Sequence, residues 1–321
     1  MFEAAQILAR NSPLSTEMSQ SLCKDLSLAL ARFPKIRLGH LPTPLEPLDR
    51  LSEILGGPRL WVKRDDCTGL SSGGNKTRKL EFSMADAQAQ GADTIVTHGT
   101  IQSNHACQTA AAAAKLGLGC HILLEERSGV VKDSYALSGN ALLNHLHGAC
   151  VSKFEPSADI SAEIACLANQ LIQDGKTPYI IPTGGSDCVG ALGYVNCARE
   201  LAEQAADFGL EIDALVHATD SAGTQAGLLV GLAAIQSDIH LLGIGVRAAQ
   251  DQQEQLVFNL AHRTAQHLGT GVKIARKDVH VNCGYVGAGY GLPSDGMVRS
   301  IKLLAQTEGL LFDPVYSGKG L

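Results

Sequence analysis

Two hydrophobic rhythms take turns along the chain. Short apolar runs of strand length occur at "DTIVTHG" (93–99), "GCHILLEE" (119–126), "TPYIIPTGG" (177–185), the front of "DALVHATDSAGTQAGLLVGLAA" (213–234) and "HLLGIGVRA" (240–248). "RLWVKRDD" (59–66) alternates as a strand and ends in charge. Between these runs the spacing becomes helical. From Thr77 the apolar positions Leu80, Phe82, Met84 and Ala87 predict a helix, and "SNHACQTAAAAAKLG" (103–117) opens on serine and asparagine and closes on glycine. Further helices are predicted over 134–148 and 157–175. "HLPTPLEPL" (40–48) is expected to be extended, because each proline disfavours helix in the residue before it. Residues 1–35 read as an amphipathic preamble or a flexible arm.

Strands alternating with helices predict an α/β fold with a mostly parallel sheet covered on both faces. Ligands in such folds sit where glycine loops leave the strand ends, and loops of that kind occur at 71–76, 97–104, 183–187 and 219–224. No long linker separates the halves, so any domains are expected to interleave.

Composition narrows the class. The 321 residues are 45% hydrophobic and 18% charged, enough to bury a real core, while 4% aromatics leave the packing to aliphatic residues and alanine. A formal charge of −6 argues against nucleic acid and anionic membranes as partners. Nine cysteines, without a C-x-x-C pair, fit reduced thiols. Residues 1–30 carry acids and no apolar signal-peptide core, and no apolar stretch reaches the ~18 residues of a membrane span. The expectation is a soluble cytoplasmic protein.

Several stretches carry candidate chemistry. "ATDSAGTQAG" (218–227) leaves a buried strand and opens a helix, so its backbone N–H groups can face a phosphate or simply form a helix cap. It is neither a Walker loop nor a dinucleotide fingerprint. In "SSGGNKTRK" (71–79), two glycines deliver Lys76 to a helix start, beside Arg78 and Lys79. Neighbouring cations disfavour an ammonium and favour a nucleophilic amine, whereas the alternative is a solvated basic first turn. In "GTIQSNH" (99–105), Ser103 and Asn104 either cap a helix or, with Gln102, bind a carboxylate. His98, His105, His145, His147 and His217 form no metal spacing, so no metal is expected. "GAGYGLP" (287–293) and "DPVYSGKG" (313–320) each set a tyrosine, Tyr290 and Tyr316, among glycines, where it packs or moves protons.

Taken together, "LPTPLEPLDRLSEILGGPRLWVKRDDCTGLSSGGNKTRKLEF", "IQSNHACQTAAAAAKLGL", "IPTGGSDCVGALGYVNCA", "HATDSAGTQAGL" and "GLLFDPVYSGKG" resemble the pyridoxal-phosphate enzymes of the tryptophan synthase β-subunit fold. Within these the likeness is to the 1-aminocyclopropane-1-carboxylate (ACC) deaminase and D-cysteine desulfhydrase family, from about His40 to Leu321. The stretches "RDDCTGLSSGGNKTRKLEF", "KLGLGCHILLEERSG", "YVNCA", "IDALVHAT" and "LLGIGVRA" look most like its L-cysteate-cleaving branch, and the D-cysteine desulfhydrases are the near neighbours. Ser317 after Tyr316 also resembles the carbon–sulfur lyases, since the deaminases carry an acid there.

The resemblance implies two open, mostly parallel twisted sheets flanked by helices. Residues 1–89 with 190–321 would form a larger cofactor-binding domain, and 90–189 a smaller one. It implies pyridoxal 5'-phosphate as cofactor, a small amino acid as substrate and a homodimer. Lys76, with Asn75 beside it, would hold the cofactor covalently, and Asn104 would contact its 3′-oxygen. Ser221, Ala222, Gly223 and Thr224 would bind its phosphate, assisted by Lys79. Gln102, Ser103 and Asn104 would take the substrate carboxylate, with Tyr290 and Tyr316 beside the reacting carbons. The implied reaction is elimination and deamination of L-cysteate to pyruvate, sulfite and ammonia. The alternatives are D-cysteine, giving sulfide, and a family member with altered or lost activity. The last reading comes from departures: Asp220 stands in place of a glycine, Cys107 in place of an arginine, and Ala288 where a glutamate or proline is common. Relatives also run on past the position of Leu321, through a turn whose threonine meets the pyridine nitrogen.

Overall fold

The computed structural model describes residues 16–125, 133–154 and 159–321. The start of the N-terminal preamble, the last residue of the 119–126 run and the beginning of the 157–175 helix fall outside them. In chain order the first elements are α1 (Thr16–Leu30), β1 (Leu45–Pro47), α2 (Asp49–Leu55), β2 (Trp61–Lys63), α3 (Lys76–Ala89), β3 (Thr94–Thr100), α4 (Asn104–Leu116) and β4 (Gly119–Glu125). Then come α5 (Asp133–Ala136), α6 (Gly139–Leu146), β5 (Cys150–Phe154), α7 (Ile160–Gln173), β6 (Pro178–Ile181) and α8 (Cys188–Asp207). The remainder is β7 (Ala214–Thr219), α9 (Gly223–Ala234), β8 (His240–Gly245), α10 (Gln250–Leu268), β9 (His280–Asn282), α11 (Asp295–Glu308) and α12 (Ser317–Gly320).

Among the described residues the chain divides into two compact units: 16–31 with Pro42–Arg64 and Tyr194–Leu321, and Arg32–Leu41 with Asp65–Gly193. This differs from the expected division, because residues 65–89 fall with 90–189. The reason is packing: Leu80 and Met84 of α3 share one core with Ala106 and Ala110 of α4. Residues 35–39 follow α3, since the buried Glu81 carboxylate accepts from the backbone N–H groups of Leu38 and Gly39 and pairs with Lys35.

The unit containing α3 is built on a four-stranded parallel sheet in the order β5-β4-β3-β6. Successive strand residues point to opposite faces. Ile95, Ile122, Leu124 and Ile181 therefore join the core under α3 and α4, while Val96 and Leu123 pack with Ile164 and Leu171 of α7. Each such buried aliphatic side chain contributes about 1.5–3 kcal/mol. The alanines 110–113 of α4 are almost wholly buried, and their small side chains let the helix lie close to its neighbours. The single helix expected over 134–148 is broken into α5 and α6. Gln102 enters the break, donating to the carbonyls of Tyr135 and Ser138 and accepting from the Asn140 N–H.

The other unit holds a three-stranded parallel sheet, β7-β8-β9, and an antiparallel pair, β1-β2. Leu48, Leu51 and Leu304 form a small core beside β2, with Leu60, Val62 and Phe312 packed on it. Lys63 and Glu200, paired at 2.5 Å, tie β2 to α8, and Glu200 also accepts from the Thr43 N–H. The preamble is a helix from Thr16, and the α/β expectation with mostly parallel sheets flanked by helices holds.

Candidate active site

Lys76 is the first residue of α3, and the loop before it is strapped down residue by residue. Thr68 Oγ1 accepts from the Gly74 N–H at 2.9 Å and lies 3.0 Å from Thr77 Oγ1. Thr77 Oγ1 donates to Gln108 Oε1 at 2.9 Å. Asn104 Nδ2 donates to the Gly73 carbonyl at 3.2 Å; Gln108 Nε2 donates to the same carbonyl and, at 2.9 Å, to Asn104 Oδ1. The glycines are obligatory here. A Cβ on Gly73 would lie 1.9 Å from the Asp66 carbonyl oxygen, and one on Gly74 2.3 Å from Gln108 Nε2. Both also have φ in the left-handed range, +76° and +129°. Lys76 Nζ donates to Asn75 Oδ1 at 2.9 Å. Thr68, Thr77 and Gln108 escaped the sequence reading, because their partners lie up to 35 residues away.

The cations next to Lys76 have separate fates. Arg78 is buried and meets Asp65 bidentately, with Nε 2.9 Å from Oδ2 and Nη2 2.8 Å from Oδ1. Its charge is thereby matched. Lys79 is also buried and donates to the Gly184 carbonyl at 2.9 Å. Burial first, and then the charge of Lys76, holds its amine well below the ordinary lysine range, against an opposing pull from Asp187.

Around the start of α4, Ser103 is the helix cap, accepting from the Ala106 N–H at 3.1 Å. That leaves its hydroxyl proton available to a ligand. Gln102 is committed to the α5–α6 break, with both ends of its amide engaged. Thr97 gives its one hydroxyl proton to the Ile181 carbonyl, at 2.8 Å. It must therefore accept from His105 Nε2, also 2.8 Å away, so His105 Nδ1 is a bare acceptor. This buried nitrogen has no hydrogen-bond partner among the described residues. Burial, then the charges of Lys76 and Lys79 and the nearby His98, push His105 well below the usual histidine range.

In the other unit the 219–224 loop joins β7 to α9. Ala222, the cap position, takes a left-handed backbone with φ +71° and brings no side-chain acceptor to the first turn. Asp220, just before it, pairs with Arg247 at 2.7 Å, so the carboxylate standing in place of a glycine is matched. Tyr290 and Tyr316 share a hydroxyl–hydroxyl hydrogen bond of 2.7 Å. Burial first, then Tyr290 and Asp220, raises Tyr316 far above the ordinary phenol range and keeps it protonated. The Tyr316 turn is capped by Asp313, which accepts from the N–H groups of Val315, Tyr316 and Ser317 and from Ser317 Oγ. Lys319 Nζ donates to the carbonyls of Val286 (2.7 Å) and Gly289 (3.1 Å), fastening the Tyr290 turn to α12. The sequence reading missed Arg247 and Lys319; flanking glycines were the one visible signal for Lys319.

A parallel α/β architecture, a lysine delivered by glycines and a glycine loop opening a helix define a cofactor-dependent enzyme class. The sequence profile of the family described as "Pyridoxal-phosphate dependent enzyme" matches residues 36–321, and the chain belongs to that family. It is 44% identical over 292 residues to a D-cysteine desulfhydrase of Salmonella choleraesuis (strain SC-B67), covering 91% of this chain and 88% of the relative. A Salmonella paratyphi C (strain RKS4594) D-cysteine desulfhydrase matches equally, at 44% over the same coverage. Among solved structures, an ACC deaminase homologue superposes with a TM-score of 0.83 at 34% identity, over 92% of this chain and 87% of the other. A threonine deaminase from T.th. shares the fold, with a TM-score of 0.60 at 17% identity over 92% and 88%. The protein is a pyridoxal-phosphate-dependent lyase of the D-cysteine desulfhydrase and ACC deaminase group.

The residues present fit that cofactor. An aldehyde needs an amine, which Lys76 offers from a loop with no room for side chains at Gly73 and Gly74. A phosphate needs backbone donors, which the left-handed turn at Ala222 and the first turn of α9 offer. Among the described residues, no helix is long and apolar enough to cross a membrane.

Proposed function

We propose that the protein eliminates a sulfur substituent from the β-carbon of a small amino acid, with L-cysteate as substrate, acting as a cytoplasmic homodimer. The carrying observation is Lys76, held at a helix start by a loop strapped to Asn104 and Gln108. When bound, pyridoxal phosphate supplies an electron sink for negative charge at the substrate α-carbon. Lys76 Nζ would hold the cofactor and would take the α-proton of the substrate. Asn75 and Asn104 orient that site by amide hydrogen bonds, and Ser221, Ala222, Gly223 and Thr224 bind the phosphate. Ser103, whose oxygen already accepts from Ala106, donates its proton to the substrate carboxylate, with Asn104 beside it. Gln102 acts by holding the 135–140 break in place, and Lys79 by anchoring the Gly184 turn. Tyr316, kept neutral, and Tyr290 steer the departing group with their shared proton network.

D-Cysteine is the second reading, favoured by the 44% identity to D-cysteine desulfhydrases. Nine cysteines outside any disulfide support a reducing compartment. Exposed Leu142 and Leu146 on α6 and Leu137 before it support a surface covered by a second copy.

Protein reconstituted with pyridoxal phosphate should release pyruvate with sulfite from L-cysteate, or with sulfide from D-cysteine. Borohydride should fix the cofactor on the Lys76 peptide. A Lys76→Ala protein that still gains the reduced adduct, or still forms pyruvate, sinks the assignment.

A further inference from the structure

Asp220 and Arg247 follow two neighbouring parallel strands, β7 and β8, whose last paired residues are Thr219 and Gly245. Ligands of parallel sheets bind at that end of the strands. Asp220 also leads directly into the 221–224 loop. Arg247 meets it through Nε alone, at 2.7 Å, and has no other hydrogen bond or ion pair among the described residues. Its side chain is 41% exposed, so both terminal NH2 groups remain open to a ligand while the Nε contact fixes the guanidinium plane. Tyr290 and Tyr316, the paired tyrosines, lie within electrostatic reach of it.

We infer that the two terminal NH2 groups of Arg247 bind the sulfonate of an anionic β-substituent, which makes Arg247 a specificity-determining residue for sulfonate over thiol. This rests on the carbon–sulfur lyase reading above. A thiol presents one polarizable atom and needs no fixed cation. A sulfonate presents three oxygens and a permanent charge, and the planar guanidinium fork is the side chain that matches oxyanions in pairs. The charge moves in the right direction during the reaction. The Cα–H bond breaks with its proton passing to the enzyme's base, and the Cβ–S bond breaks with its electron pair leaving on sulfur as sulfite. L-Cysteate and water thus give pyruvate, bisulfite and ammonium, with no external oxidant or reductant. Negative charge grows on the oxygens that Arg247 holds, so the contact strengthens as the bond breaks.

The competing explanation is that Arg247 only neutralises Asp220. Neutralisation ends when both charges are removed, whereas sulfonate recognition does not return. The test uses full-length holoenzyme as wild type, Arg247→Met and the double variant Asp220→Asn with Arg247→Met. Two quantities are measured: the ratio of kcat/KM for L-cysteate to that for D-cysteine, and calorimetric binding of methanesulfonate. The expected result is a ratio lowered about 50-fold in both variants, with methanesulfonate binding lost in both. Recovery of the ratio and of binding in the double variant overturns the inference, as does unchanged binding in Arg247→Met. If wild-type protein forms pyruvate from neither amino acid yet binds methanesulfonate through Arg247, the lyase reading falls and the anion site stands. If it neither reacts nor binds, both fall.

Discussion

His105 sits enclosed between β3 and the lysines of α3, with one ring nitrogen donating to Thr97 and the other bare. In the unfolded chain the same imidazole titrates at about 6.5. The folded value is far lower, so below about pH 6.5 the unfolded state holds a proton that the folded state refuses. Stability from this source is complete above that pH and drains as pH falls, by at most about 1.4 kcal/mol per unit. Urea unfolding midpoints measured from about pH 7.5 to 5.5 should therefore fall more steeply in wild type than in His105→Asn; parallel slopes would refute the argument. Residues of this kind mark the limit of sequence reading. Lys76, Ser103 and Asn104 stood out because glycine turns and cap chemistry are local. The pairing of Arg78 with Asp65, the Thr97–His105 tautomer and the Gln108 strap arise only when distant segments meet. A basic first turn in the sequence thus resolves into one matched arginine and two unlike lysines.

Among elements, the tyrosine turns depend on a clip. Lys319 is 5% exposed and reaches from α12 to two carbonyls of the 286–289 segment, so α12 and the Tyr290 turn are held together by one ammonium. Lys319→Met leaves those carbonyls unmatched, at about 1–3 kcal/mol of stability. It also frees Tyr290 from Tyr316. The expected outcome is a kcat lowered roughly tenfold with KM for the amino acid within about threefold, because the hydroxyl pair is proposed to act on the leaving group. A loss confined to thermal stability would reduce Lys319 to a structural tie. The elements themselves were mostly legible, since β3, β4, β6, β7 and β8 announce themselves as short apolar runs. The division between α5 and α6 was hidden, because it is imposed by Gln102 from another part of the chain.

For the whole molecule, the parallel sheets were legible from the alternation of rhythms, and the unit boundaries were less so. Helix α3 follows a strand that belongs to the other unit, and only its packing against α4 shows where it resides. The proposed homodimer has a direct test. Sedimentation should give twice the chain mass of 33.7 kDa, and the combined Leu142→Asp and Leu146→Asp changes should return the single mass. A wild-type monomer would refute it. The Asp220–Arg247 pair reaches further, into how such chains diverge. A lineage that acquires an acid at the entrance of its proposed phosphate loop before it has the base inherits an uncompensated repulsion, whereas one that gains the base first passes through a workable intermediate. The two positions are therefore expected to change as a pair among such chains.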